Sequence, residues 1–268
     1  MMGMGLGGRI GAGAILAAVA LAVPSLAWGL KTRTATNSVL PGKATAKCRD
    51  GERLVSGGFS MPDGGQVTIS RAAKGQRWTA TADGNPPLTV FAYCAGGRGL
   101  SRHHHSETVP GPSGTKKTVA AHCDANQSLA SGGYETVNSE PGTHDLVAFK
   151  SRRVGDRTWK VTVFNDSDTA SRLRVFAYCK RHVDVKARSK SNPVGPNQPG
   201  SATARCHSGE TLLSGGYTTT PRSDYGNNTG PDLFYTGSYK SGRRAWTAAG
   251  HNYSDVGGKI TTFVYCKQ

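Results

Sequence analysis

The sequence predicts an all-β chain of three tandem small antiparallel β-sandwich modules, jelly-roll-like, each with one internal disulfide. Three observations carry this expectation. A pattern holding all six Cys and three of the four Trp recurs three times in the same order. Apolar residues alternate at period two inside the repeated blocks, and no stretch beyond the first 27 residues keeps a helical apolar period. The 36 Gly and 13 Pro among 268 residues supply turns for short strands and disfavour long helices.

The chain opens with an export signal. Arg9 leads into the apolar run Ile10 to Val23, and the small residues Ser25 and Ala27 mark a cleavage site, so residues 1–27 read as a secretory peptide. The run is short and Gly-rich beside the ~20 residues of a membrane span, with an uncleaved anchor as the alternative. No transmembrane span is expected after cleavage, and the location is secreted or extracellular, with association at the cell surface open. Gly3, Gly5 and Gly8 match a dinucleotide-loop spacing, but no strand can precede them. The formal charge of +16 falls to +15 on losing Arg9 with the signal, which contains no acid. A field of that size attracts polyanions and says nothing about fold.

The repeats are anchored on Cys48, Cys123 and Cys206. Six positions after each stands Leu54, Leu129 or Leu212, and two further on begins Ser-Gly-Gly-aromatic: Ser56 to Phe59, Ser131 to Tyr134, Ser214 to Tyr217. A second block ends each repeat: Val90 to Cys94, Val175 to Cys179, Thr262 to Cys266. Trp78, Trp159 and Trp246 precede those blocks. After the N-terminal segment 28–35, the modules run over 36–95, 112–181 and 197–268, with exposed linkers at 96–111 and 182–196. Six Cys in an exported chain can pair in fifteen ways; with one early and one late Cys per repeat, the simplest pairing is internal, Cys48–Cys94, Cys123–Cys179 and Cys206–Cys266. Units this small bury little surface, so such bridges are expected to be structural. Gly51, Asn126 and Gly209, three residues after the first Cys, read as positive-φ turn positions. Ser151 to Arg157 reads as a hairpin loop, and the paired glycines as sites of a bulge or a close backbone approach.

The run Ala46 to Gly58, closed by Val-Phe-Ala-Tyr-Cys, resembles the repeated Cys-x7-Ser-Gly-Gly module of secreted bacterial proteins. More distantly it resembles the modules of resistin and of the Cys/His-rich region of the ninth subtilisin/kexin-type proprotein convertase. The resemblance implies sandwiches set around a pseudo-threefold axis and a role in binding macromolecules; it transfers no binding residue. This chain carries two Cys per unit where those families carry many more.

The most suggestive constellation is basic residues around the Trp: Arg71, Lys74, Arg77 and Trp78; Lys150, Arg152, Arg153, Arg157 and Trp159; Lys240, Arg243, Arg244 and Trp246. Guanidinium groups offer paired donors to sulfate, phosphate or carboxylate, and an indole face can stack on a ligand. The plainer reading is a solvated hairpin with a core Trp. Phe91, Phe176 and Phe263, with Tyr93, Tyr178 and Tyr265, read as core or as the contact between modules. His103, His104 and His105 are consecutive and do not converge as metal ligands do; His122 occupies a position where Lys47 and Arg205 stand in the other copies. Asn126, Asn165, Asn227 and Asn252 begin glycosylation sequons. No catalytic residue, cofactor or metal is expected, because no acid or His recurs across the repeats.

The function expected from these residues is non-catalytic binding of an anionic extracellular polymer or surface: glycan, wall polymer or lipid headgroup. No specific nucleic-acid recognition is expected. The alternative is an extracellular structural or protein-interaction scaffold, and a secreted enzyme, toxin or inhibitor comes last.

Overall fold

A computed structural model describes residues 29–39, 42–62, 64–83, 87–111, 113–137, 145–181, 183–220 and 233–268. The signal segment 1–27 and Asn227 lie outside the described residues. Every helix or strand among the described residues is a strand. The first module holds β1 (Lys31–Asn37), β2 (Gly42–Lys47), β3 (Arg53–Ser60), β4 (Gln66–Ala73), β5 (Arg77–Asp83) and β6 (Leu88–Ala95). The second holds β7 (Ser101–Val109), β8 (Lys116–His122), β9 (Gln127–Val137), β10 (Leu146–Val154), β11 (Thr158–Asn165) and β12 (Ser171–Arg181). The third holds β13 (Val185–Val194), β14 (Pro199–Arg205), β15 (Thr211–Thr219), β16 (Leu233–Gly242), β17 (Ala245–Asn252) and β18 (Gly258–Lys267).

Each module is a sandwich of two three-stranded half-sheets: β1-β6-β3 on β2-β5-β4, β7-β12-β9 on β8-β11-β10, and β13-β18-β15 on β14-β17-β16. Alternation along the strands sends one face inward, and Val90, Ala92 and Cys94 of β6 are fully buried there. The three bridges are the internal ones, Cys48–Cys94, Cys123–Cys179 and Cys206–Cys266. Each ties a strand of one half-sheet to the end of a strand in the other. Their sequence separations of 46, 56 and 60 residues correspond to about 4 kcal/mol each in the chain-entropy picture.

The half-sheets do not stop at the module boundary. β4 pairs with β9 at Ser70↔Tyr134, β10 with β15 at Ser151↔Tyr217, and β16 with β3 at Ser238↔Phe59. Three six-stranded antiparallel sheets result, each half from one module and half from the next. The three modules thereby close a ring around a pseudo-threefold axis, and one edge of every half-sheet, at β3, β4, β9, β10, β15 or β16, is paired across a module boundary.

The two segments expected to be linkers carry strands instead, and so does the N-terminal segment. β1, β7 and β13 lie in or overlap 28–35, 96–111 and 182–196, and run antiparallel along β6, β12 and β18. They are outer strands with most side chains exposed. Polar, basic sequence is what an edge strand carries, and composition alone does not separate it from a loop. The turn after the first Cys closes alike in all modules, through Glu52, Gln127 and Glu210 N–H groups donating to Arg49, Asp124 and His207 carbonyls. Gly51 and Gly209 take positive φ there, whereas Asn126 does not.

The Ser-Gly-Gly motif builds the joint. One residue just before it, Val55, Ala130 or Leu213, is bulged out of the pairing with β6, β12 or β18. The next hydroxyl crosses to a neighbouring module's bulge: Ser56 Oγ donates to Leu213 O at 2.6 Å, Ser131 to Val55 O at 2.7 Å, and Ser214 to Ala130 O at 2.6 Å. A Cβ on the first glycine, Gly57, Gly132 or Gly215, would overlap the indole of Trp78, Trp159 or Trp246. On the second, it would collide with the adjacent module's backbone at Ser238, Ser70 or Ser151. Next along, Phe59, Tyr134 and Tyr217 are buried, with Tyr217 hydroxyl donating to Tyr134 hydroxyl at 3.1 Å.

Candidate functional site: the cationic end of the ring

The hairpins β4–β5, β10–β11 and β16–β17 turn at the disulfide end of the ring. Their tips are tied there by the first Cys of each module: Cys48 N–H donates to Gln76 O, Cys123 to Arg157 O and Cys206 to Arg244 O, at 2.8 to 3.0 Å. The tips of all three basic hairpins therefore gather at one end of the ring.

The indoles do not face solvent. Trp78, Trp159 and Trp246 are at most 2% exposed, so the expectation that they stack on a ligand is corrected. In a module this small the largest apolar ring is the core. Each indole N–H donates to the serine eight residues earlier, Ser70, Ser151 or Ser238, at 3.0 to 3.2 Å. Each indole also meets, edge to face, a tyrosine of the neighbouring module: Trp78 with Tyr178, Trp159 with Tyr265, Trp246 with Tyr93, ring centres 5.3 to 5.8 Å apart. Those tyrosine hydroxyls accept from the backbone N–H of Ala72, Arg153 and Lys240 at 2.7 to 2.8 Å. The Phe/Tyr pairs thus serve the contact between modules. The serine eight before each Trp was legible in the sequence as a further recurring position.

The basic residues divide by height on the hairpin. Arg71 pairs with Glu135 of the next module at 2.9 Å and lies over Phe176. Arg152 lies over Phe263 in the same way, and Tyr239 beside Phe91 occupies that place at the third joint. Arg153 is buried, donating to Val185 O at 2.7 Å and pairing with Asp156. Lys240 donates to Leu30 O at 3.2 Å. Burial holds the pKa of both Arg153 and Lys240 below their ordinary values. Lys150 packs against the Phe149 ring. These five stem residues are parts of the joints. Lys74, Arg77, Arg157, Arg243 and Arg244, at the tips, are exposed.

The surrounding charge favours the cations. Arg33 binds Glu52 and Arg188 binds Glu210; the Arg33 guanidinium, with help from the Arg49 N–H, holds the Glu52 carboxyl down at about 2, and Arg188 likewise lowers Glu210. In the second module the corresponding pair is His103 and Gln127, 3.2 Å apart. Arg49, Arg53, Arg98, Arg205 and Lys267 add exposed charge at the same end. A hollow of about 540 Å³ there is lined by Arg205, Arg243, Arg244 and Glu210. Exposed Asp50, Asp124, Asp156 and Asp184 lie at this end as well, and the loops at the opposite end present exposed Asp166, Asp168 and Asp255.

The three histidines lie on β7, where alternation turns His104 onto Phe176 and leaves His103 and His105 beside Gln127 and Glu107. Cys206, Glu210 and Cys266 form the one cluster of potential metal donors among the described residues, and its sulfurs are consumed in a disulfide. His122 bonds Thr158. Asn165 and Asn252 are buried, their amides donating to Thr169 O and Val256 O, so neither can accept a glycan; Asn126 is exposed. Among the described residues no helix is long and apolar enough to cross a membrane. No family model matches the chain, and no curated protein matches it.

Proposed function

We propose that this is a secreted, non-catalytic protein that binds an anionic extracellular polymer through the cationic end of its ring. One observation carries the reading: closure of the ring brings three independently encoded hairpin tips, bearing Lys74, Arg77, Arg157, Arg243 and Arg244, onto one face. Each tip alone is a weak, solvated charge. On one rigid face they act together on a chain long enough to span them, which is where avidity arises. Guanidinium tips suit sulfate, phosphate and carboxylate groups in particular.

The test is retention of the mature protein on a phosphorylated matrix. The variant Arg77→Gln/Arg157→Gln/Arg244→Gln is expected to elute at clearly lower salt than the parent. A charge-matched control at the other end, Lys43→Gln/Lys116→Gln/Lys259→Gln, is expected to elute with the parent. Equal shifts in the two variants would reduce the effect to net charge and defeat the reading.

A further inference from the structure

At the disulfide end, on the axis itself, lies a hollow of about 220 Å³ whose walls are aliphatic. Leu54, Val55, Leu100, Ala130 and Leu213 line it, and three of these belong to the bulges whose carbonyls are occupied by the serine ring. The bulge that frees a carbonyl for the neighbouring serine also brings its own side chain to this wall. Val55 and Leu213 keep part of their surface in solvent, and so does Leu100. The rim is of opposite character: Arg53, Arg98, Lys180 and Lys267, with no acidic side chain among the lining residues.

The hollow adjoins further space at two joints: it shares Leu30 and Thr211 with the hollow of about 540 Å³, and three aliphatic residues with a space between the first and second modules. The tyrosine-bonded position is Arg153 at one joint and Lys240 at another, each running its long side chain to a carbonyl of the adjacent outer segment. At the joint of the first and second modules it is Ala72. A second space of about 160 Å³ opens there, lined by Ala72, Trp78 and Tyr178 and sharing Leu54, Val55 and Leu100 with the axial hollow. Together the two reach the low end of the roughly 300–1,000 Å³ of small-ligand sites, room for one acyl chain rather than two.

We propose that this trench binds a single-chain anionic amphiphile, its acyl chain along the aliphatic walls and its acidic head on the four cations. A sugar or polyphosphate chain would leave its polar groups unpaired against Leu54, Leu100 and Leu213, whereas each methylene buried there strengthens binding of an acyl chain. An uncharged chain would forgo the rim. This deepens the polyanion reading in using cations of the same end; the side space touches one hairpin tip, at Lys74 to Gln76, while Arg77, Arg157, Arg243 and Arg244 do not line either space.

The test is calorimetric titration of the full mature chain with dodecanoate, below its micelle concentration. One saturable site with a negative heat-capacity change is expected. Leu100→Asn, which is charge-neutral, and the shape-conserving Val55→Thr should each weaken binding, the former roughly tenfold or more, without altering retention on the phosphorylated matrix. Arg53→Gln/Lys180→Gln should weaken dodecanoate and leave an uncharged dodecyl glucoside as weak as before. The proposal is overturned if dodecanoate shows no saturable heat, if the glucoside binds equally, or if both wall variants bind as the parent does while their melting temperatures are unchanged. Retention that persists while dodecanoate fails sinks the trench alone; loss of tip-dependent retention sinks the polymer reading alone.

Discussion

The stems and the tips of the three basic hairpins are a few residues apart and obey different rules. At the stems, position by position, the modules agree: a serine under the indole, a cation or tyrosine over the neighbour's Phe, a backbone N–H on the neighbour's tyrosine. The tips share only a Gly and a final Arg and differ in the other two positions, with Lys74-Gly-Gln-Arg77, Val154-Gly-Asp-Arg157 and Ser241-Gly-Arg-Arg244. The difference teaches that recurrence beside each Trp marks packing between modules at the stems, while at the tips what recurs is a turn Gly and one exposed Arg. A ring closed by three equivalent joints constrains each joint alike; a solvated tip is constrained by its turn and by one backbone bond from the first Cys.

The comparison can be broken most forcefully at a stem. Trp159→Ala should cost about 3–5 kcal/mol, since it empties a core site and strands Ser151 and Tyr265 without their ring partner; calorimetric melting measures it. A cost below about 1 kcal/mol would show the joint to be loose. Ser131→Ala should cost about 1–3 kcal/mol, because the Val55 carbonyl it serves is left without that donor, and chemical denaturation reads the change.

Acid sharpens the contrast between modules. The folded pKa of Glu52 lies below its unfolded value, as does that of Glu210, so their contribution is complete above the ordinary carboxylate range. It is lost as pH falls from about 4.5 toward about 2 for Glu52. Urea unfolding followed down in pH should steepen over that window, and Glu52→Gln/Glu210→Gln should flatten it. The second module, with His103 and Gln127 in those places, adds no such carboxylate. The smallest stability effect belongs to the tips: Arg77→Gln/Arg157→Gln/Arg244→Gln should shift unfolding by no more than about 0.5 kcal/mol per site, although matrix retention falls. A large loss would mean these arginines are structural after all.

Much of the fold was legible. Period-two alternation and triplication pointed to the sandwiches, and the position of one early and one late Cys in each repeat pointed to the bridges. The outer strands β1, β7 and β13 were not legible, because an edge strand with one solvated face has the composition of a linker. The constellation of Trp and basic residues was legible as a pattern, and the burial of its Trp was not. A Trp beside arginines has the same pattern whether the ring faces a ligand or the core, and only the 2% exposure of Trp78 distinguishes them.

The sequence by itself determined the class of fold, the module count, the disulfide partners and the need for glycine after Ser56, Ser131 and Ser214. These follow from local periodicity and from chemistry repeated in register. Only the tertiary structure decided that the modules close into a ring, that Arg71, Arg152, Arg153 and Lys240 are spent inside its joints, and that the tips share one face beside an aliphatic hollow. Edge-to-edge pairing of half-sheets is a contact between residues far apart in the chain, and no local pattern records which edge finds which.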